Sequence, residues 1–392
     1  MVRMTRPLVS AVLLLTLCPL ALGTAAPAQT RPAAEAHAAA PADSSPWQLQ
    51  PSGTTTGLRG IHAVSSQIAW ASGTGGTILR TTDGGRHWQR CATPPEAAQL
   101  DFRGIWAWSA TTAMAMSSGP GALSRLYKTT DGCASWELLE TNSSKQGFWD
   151  AMVFQTGNFG FAIGGARTGI MIGDPVHGRF ETQVMFLGHG WFTDDAACTA
   201  TPGEAAFAAS NSSVVVFGNR RYILGTGGKG GPHALISPLL LGQPPTNPCL
   251  AVPVPIAGGT PSSGVFSLAF RDLHHGVAVG GDYTQPNNPH GTAAWSSDGG
   301  RHWHAASHPP HGYRSAVAWD PAAHAWIAAG TNGSDISYDG GRTWQPFGNG
   351  NWNALSLPWI VGPNGRIARL DPGRLPSPPQ PRPNPPAAHP KP

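Results

Sequence analysis

Charge is scarce in this chain: Asp, Glu, Lys and Arg supply 12% of the 392 residues, and the formal balance is only +4. No run of Lys or Arg stands behind that balance, which argues against nucleic acid or an anionic lipid surface as the partner. Long amphipathic helical stretches are missing from the chain beyond its leader, so a helical bundle is excluded. No C-x-x-C occurs, which removes the usual signature of a redox pair or a zinc site. The stretch "GTGGKGG" at 225–231 lacks the G-x-x-x-x-G-K-[ST] spacing of a phosphate loop. No Gly-rich turn opens a helix either, so nucleotide folds and nicotinamide chemistry are set aside and no cofactor is expected. The apolar run Leu8 to Leu22, broken by Thr16 and Pro19, is too short to span a bilayer.

Turn-formers are plentiful instead. Gly 50 and Pro 38 suit many short strands joined by tight turns. Arg3 and Arg6, the apolar run and the small residues Gly23 to Ala26 have the layout of a secretory signal peptide over residues 1–26. Export to a secreted or periplasmic location is therefore expected, with cleavage near Ala26. A lipid anchor on Cys18 is the rival reading, but Leu17 stands where a lipobox has a small residue. Cleavage would leave Cys91, Cys133, Cys198 and Cys249, an even set that permits two disulfides in three connectivities. Cys91 with Cys133 and Cys198 with Cys249 is the preferred pairing, because each bond would join neighbouring repeats. Residues 27–46 form an Ala/Pro-rich linker, and 372–392 a Pro-dominated tail whose missing amide donors keep it out of a sheet interior.

One octet recurs four times. It reads Thr81-Thr-Asp83-Gly-Gly-Arg-His-Trp88, Thr129-Thr-Asp131-Gly-Cys133-Ala-Ser-Trp136, Ser296-Ser-Asp298-Gly-Gly-Arg-His-Trp303 and Ser337-Tyr-Asp339-Gly-Gly-Arg-Thr-Trp344. An Asp side chain accepts from the amides of its own turn, the hydroxyl two places earlier adds a bond, and glycine supplies positive φ. The Trp opens the next strand and pins the turn by packing. Each copy is a structural hairpin tip rather than a site of chemistry.

These octets resemble the BNR or Asp-box repeats of β-propellers, in which the box joins the third and fourth strands of a blade. Seven first strands align: "LRGIHAV" (58–64), "FRGIWAW" (102–108), "FWDAMVF" (148–154), "EAAFAAS" (204–210), "VFSLAF" (265–270), "YRSAVAW" (313–319) and "WNALSL" (352–357). Units three and four lack a recognisable box, although "FLGHGWF" (186–192) looks like an eroded one. The seventh unit is one strand short, and "WQLQPSGTT" at 47–55 can supply it, closing the ring and removing exposed sheet edges. The expectation is an all-β, seven-bladed β-propeller of four-stranded antiparallel blades over residues 47–371. Segments such as "TILRTTDGG", "GDPVHGRF" and "GVAVGGDY" resemble the secreted proteins grouped with photosystem II stability/assembly factors. That resemblance implies the fold and a binding or scaffolding role, and no particular ligand.

If the boxes lie on one face, the starts of the first strands lie on the other, around the channel mouth, which is the default binding site. One aligned column there reads Arg59, Arg103, Trp149, Glu204, Val265, Arg314, Trp352. Convergent guanidinium groups bind carboxylate or phosphate, because each offers a planar fork of donors. The alternative is that they pair with Glu204, Asp150 or backbone carbonyls and plug the channel. Longer loops at 164–178, 218–231 and 280–291 add Arg167, Asp174, His177, Asp282 and Tyr283 to the same face.

A box propeller with three convergent arginines raises a sialidase-type hydrolase: Arg59, Arg103 and Arg314 as carboxylate clamp, Tyr283 with Glu204 as nucleophile pair, Asp174 as acid. Seven units against the six of sialidases, the lack of an early R-I-P-like segment and the absence of any spacing that joins Tyr283 to Glu204 argue against it. His302, His304, His308 and His311 are dense enough to suggest a metal, but they map to an outer strand and a Pro-rich connection, so none is expected. The reading is a monomeric, exported, non-catalytic propeller that presents its arginine-bearing face to a protein partner or anionic ligand of the cell envelope. A glycan-binding propeller is the nearest competitor.

Overall fold

The computed structural model describes residues 45–154, 168–176, 179–186, 190–193, 198–217, 221–237 and 249–379. Residues 1–44 and 380–392, with the leader and Cys18, and residues 155–167 and 177–178, with Arg167 and His177, lie outside the described residues. The strands form seven antiparallel sheets, the blades of a β-propeller. Their innermost strands are Leu58–Ala63, Phe102–Ala107, Trp149–Phe154, Val214–Phe217, Ser263–Phe270, Ala316–Asp320 and Ala354–Ser356, for blades one to seven. Short strands rich in Ala, Val and Ile dominate because both faces of each blade are covered by neighbouring blades. The second strands Ala69–Gly73 and Ala325–Gly330 are buried at every position. The apolar clusters lie between blades: Trp70 of blade one meets Phe102, Ile105 and Trp136 of blade two in a single cluster.

The ring closes through the N-terminal strand. Trp47–Gln50 pairs antiparallel with Ile367–Leu370 as the fourth strand of blade seven. Gln50 then clasps blade one: its Oε1 accepts from Trp88 Nε1 at 3.1 Å and Trp359 Nε1 at 3.0 Å, and its Nε2 donates to the Gly84 carbonyl at 3.1 Å. A strand from the far end of the chain thus completes the last blade and covers the edge that Ile367–Leu370 would otherwise expose.

The four octets share one geometry. Thr81, Thr129, Ser296 and Ser337 donate to the Asp two residues on at 2.8–3.0 Å, and each hydroxyl accepts the amide four residues on at 2.9–3.1 Å. The Asp Oδ1 in turn accepts its own i+4 amide at 2.9–3.1 Å. These bonds hold Asp83 and Asp131 well below the ordinary carboxylate range, the amide and side chain of His87 acting most on the first and Ser135 on the second. Trp88, Trp136, Trp303 and Trp344 are all buried, and each packs on the preceding blade, at Trp359, Trp70, Ile223 and Val277. The second glycine of the box sits at the same seam, and a Cβ on Gly341 would lie 2.6 Å from Val277 Cγ2. Blade two has Cys133 there, held at φ 68° and tied to Cys91 at the end of blade one. The second disulfide, Cys198–Cys249, joins the segments after blade three and before the outer strand of blade four.

One strand is misplaced by the sequence reading. "EAAFAAS" is not the inner strand of blade four, which is Val214–Phe217 in a sheet with Arg221–Gly225, His233–Ile236 and Leu250–Pro253. Only Glu204–Ala205 is strand, paired with Gly227–Gly228 at the inner edge of blade five. The residues that follow instead reach several blades. The Ala206 amide donates to Asp174 of blade three, Phe207 stacks on Phe266 of blade five at 3.9 Å, and Ser210 Oγ donates to the Ser315 carbonyl before blade six at 2.6 Å. The Ala208 carbonyl accepts from Arg103 of blade two. Small apolar residues read as strand, yet here their backbone groups are satisfied across the channel rather than along a ladder.

Candidate functional site

The mouth of the channel is built on β-bulges. Register breaks fall between Leu58 and Gly60, Phe102 and Gly104, Trp149 and Ala151, and Val265 and Ser267, so Arg59, Arg103, Asp150 and Phe266 are the extra residues. Ser315 and Asn353 hold the equivalent place, donating to the Ala329 and Val361 carbonyls one step before the paired residues Ala316 and Ala354. A bulge turns one side chain out of the strand's alternation. All six line one cavity of about 490 Å³, together with Asp174, Phe207, Tyr283 and Tyr313.

The residue before each bulge is held differently. Leu58, Val265, Arg314 and Trp352 donate the same inter-blade bond, to the carbonyls of Gly362, Thr226, Gly280 and Gly330 respectively. Arg314 is therefore the counterpart of Leu58 and not of Arg59, and the aligned column mixes two positions one residue apart. Such a slip carries a side chain to the opposite face. Arg314 is 0% exposed, its Nε donating to Asp335 Oδ2 at 2.6 Å and its Nη1 to Asn332 Oδ1 and the Tyr313 carbonyl. Burial would raise Asp335, but the His311 hydrogen bond and the Arg314 charge overcome it and hold the carboxyl low. The structure brings Arg59 and Arg103 together and leaves Arg314 in a seam.

The two arginines at the mouth differ. Arg103 Nε donates to Asp101 Oδ2 at 2.8 Å and Nη1 to the Ala208 carbonyl at 3.2 Å. Arg59 has no ion-pair or hydrogen-bond partner among the described residues, and its Nε is buried. Burial and then the like charge of Arg103 depress its pKa. Opposite stand two acids of blade three. Burial raises Asp174 to about 6 against the bond from the Ala206 amide, and raises Asp150 well above the carboxylate range, with the Asp174 charge adding to it.

No family model matches the chain, and no curated protein matches it. Solved structures do. YCF48 bound to D1 peptide is 15% identical, covering 83% of this chain and 96% of that one with a TM-score of 0.50. In fold, this chain is similar to YCF48. A second YCF48 structure, from Cyanidioschyzon merolae, is 15% identical over 83% of this chain and 99% of that one, with a TM-score of 0.41. The WD40 β-propeller domain of Doa1 is 12% identical over 84% and 99%, with a TM-score of 0.53. At these identities the likeness to YCF48 and to the Doa1 propeller is one of architecture alone.

The remaining predicted residues scatter. Glu204 is buried and does not line the mouth: its carboxylate accepts from Thr201 and Thr226 and contacts His233 Nδ1 at 3.0 Å. Asp282 caps its own loop, accepting the Thr284 amide and hydroxyl at 2.9 and 2.6 Å. Tyr283, 50% exposed, stands at the rim with its ring edge-on to Phe266 and Tyr313. No hydrogen bond joins it to Glu204 among the described residues. His302 belongs to its box through Asp298, His304 stacks on Trp295, and His311 binds Asp335. Among the described residues no group of three His, Cys, Asp or Glu side chains converges. Asp150, Phe266 and Tyr313 escaped the sequence reading as lining residues. One signal would have found the first two: a small residue follows every bulge, at Gly60, Gly104, Ala151, Ser267, Ala316 and Ala354.

Proposed function

We propose that this chain is an exported, non-catalytic binding or scaffolding propeller that takes a segment of a protein partner at its channel mouth, with Arg59 as the anchor for a carboxylate. The observation that carries this reading is the half-buried Arg59 guanidinium without an acceptor among the described residues. A desolvated cation costs free energy unless it is paired, so the site favours an incoming anion. The fold likeness to YCF48, itself solved with a D1 peptide, supports a peptide as the carrier of that anion. A cavity of about 490 Å³ holds a few residues of chain rather than a folded domain. The two disulfides suit an oxidising, extracytoplasmic compartment. The leader reading of residues 1–26, and with it a secreted or periplasmic location, belongs to this proposal. Among the described residues no helix is long and apolar enough to cross a membrane.

The test uses fluorescent hexapeptide pools ending in either a free carboxylate or an amide. The parent protein should prefer the acid, more so at low salt, and Arg59→Gln should lose that preference. Charged hydrogen bonds are worth roughly 1.5–3 kcal/mol, so the loss should be about tenfold to a hundredfold. Equal binding of acid and amide by the parent would sink the proposal. The aromatic lining of Phe207, Phe266, Tyr283, Tyr313 and Trp352 favours one second reading, a glycan stacked on those rings. Retention on immobilised oligosaccharides, without peptide binding, would decide for it.

A further inference from the structure

Asp150 and Asp174 give the mouth an acidic pole on blade three, and its chemistry is as incomplete as that of Arg59. Asp150 is 2% exposed, lines the cavity, and its Oδ2 has no hydrogen-bond partner among the described residues. Asp174 lines the same cavity, with Oδ1 accepting the Ala206 amide at 3.2 Å. The positive charge that acts on Asp150 is that of Arg103, whose Nε is already paired with Asp101 at 2.8 Å. Ionising both of two neighbouring carboxyls, one buried and one half-buried, is disfavoured unless a cation joins them. Phe207, stacked on Phe266 at 3.9 Å, and the Tyr313 ring edge-on to Phe266 at 4.8 Å form an aromatic wall in the same cavity, a surface that also attracts cations.

We infer that the mouth recognises a peptide by two opposite charges together, a carboxylate at Arg59 and a Lys or Arg side chain at Asp150 and Asp174. This rests on the reading of Arg59 as an anion anchor. It adds a requirement that an arginine cluster alone does not impose: a uniformly acidic segment is a poor ligand, because it would set negative charge beside the acidic pole. Binding of the basic side chain draws protons off the two acids, so its contribution grows with pH.

The experiment crosses two ligand changes in four matched hexapeptide pools: Lys or norleucine within the segment, and acid or amide at its end. Binding is read by fluorescence anisotropy on the full chain. The unmodified protein should bind the Lys-acid pool at least tenfold tighter than either singly neutralised pool, and its preference for Lys should be larger at pH 8 than at pH 5. The double variant Asp150→Asn/Asp174→Asn, whose amide oxygens still accept from the Ala206 and Ala208 amides, should lose the preference for Lys and keep that for the acid. If the unmodified protein prefers acid over amide but ignores Lys at both pH values, this inference is wrong and the Arg59 reading stands. If it binds no pool, both are wrong. Neither of these two results depends on a variant folding.

Discussion

Arg59 and Arg314 stand one step apart on the same inner-strand template, and their surroundings are opposite. Arg59 is the extra residue of a bulge, half-buried at the mouth, with no acceptor among the described residues. Arg314 occupies the step before the bulge, fully buried, with Asp335, Asn332 and the Tyr313 carbonyl filling its fork. A paired buried cation serves the fold, whereas an unpaired one at a cavity is open to a ligand. Residue type alone does not separate the two cases; register does.

The largest break of this contrast is expected at the seam. Arg314→Ala would leave Asp335 buried without its counter-ion, and such losses cost about 3–5 kcal/mol. Urea unfolding should show the midpoint falling accordingly, and a shift under about 1 kcal/mol would show that the pair contributes little. Next comes the ring closure. Gln50→Ala removes an acceptor shared by Trp88 and Trp359 and should cost about 1–3 kcal/mol, at roughly 0.5–1.5 kcal/mol for each of the two part-buried hydrogen bonds lost.

The acidic pole offers a pH signature. Asp174 is raised to about 6 in the folded state against about 3.9 unfolded, so its burial lowers stability above pH 6 and the penalty fades as pH falls toward 4. Asp174→Asn should therefore stabilise the protein at pH 8, do nothing at pH 4, and flatten the slope between. Asp335 runs the other way: its folded pKa is depressed, so its contribution is present above about pH 4 and is lost as the pH falls further. Urea melts at pH 3, 4, 6 and 8 separate the two carboxyls. The smallest effect belongs to Arg59→Ala, which removes no hydrogen bond and relieves repulsion with Arg103; its midpoint should stay within about 0.5 kcal/mol of the parent. A large loss there would mean that Arg59 is structural after all.

The boxes were legible because their bonds are local. Thr81, Asp83 and the amides of Gly85 and His87 all lie within seven residues, so spacing alone dictates the turn. The closing strand was legible for a different reason, since a unit one strand short implies its missing piece. The mouth was legible only in part. Arg59 and Arg103 were found through "LRG" and "FRG", but "YRSA" places its arginine one step earlier relative to the small residue that follows the bulge. That small residue has a physical cause: a Cβ on Gly60 would lie 2.7 Å from the Arg103 carbonyl oxygen of the adjacent inner strand. Aligning on it, rather than on arginine, assigns Asp150 and Phe266 to the mouth and Arg314 to the seam.

By itself the sequence determined the repeat, the turn chemistry and the seven-bladed ring, because each of these follows from contacts within one unit or from counting units. Tertiary structure alone decided which side chains meet at the axis. Bulges set their direction, and residues 206–210 leave the blade pattern to cross the channel and bond to blades that are distant in sequence. Short-range patterns fix backbone shape. The partners of a charge in the channel come from other blades, and only closing the ring shows whether Arg59 has one.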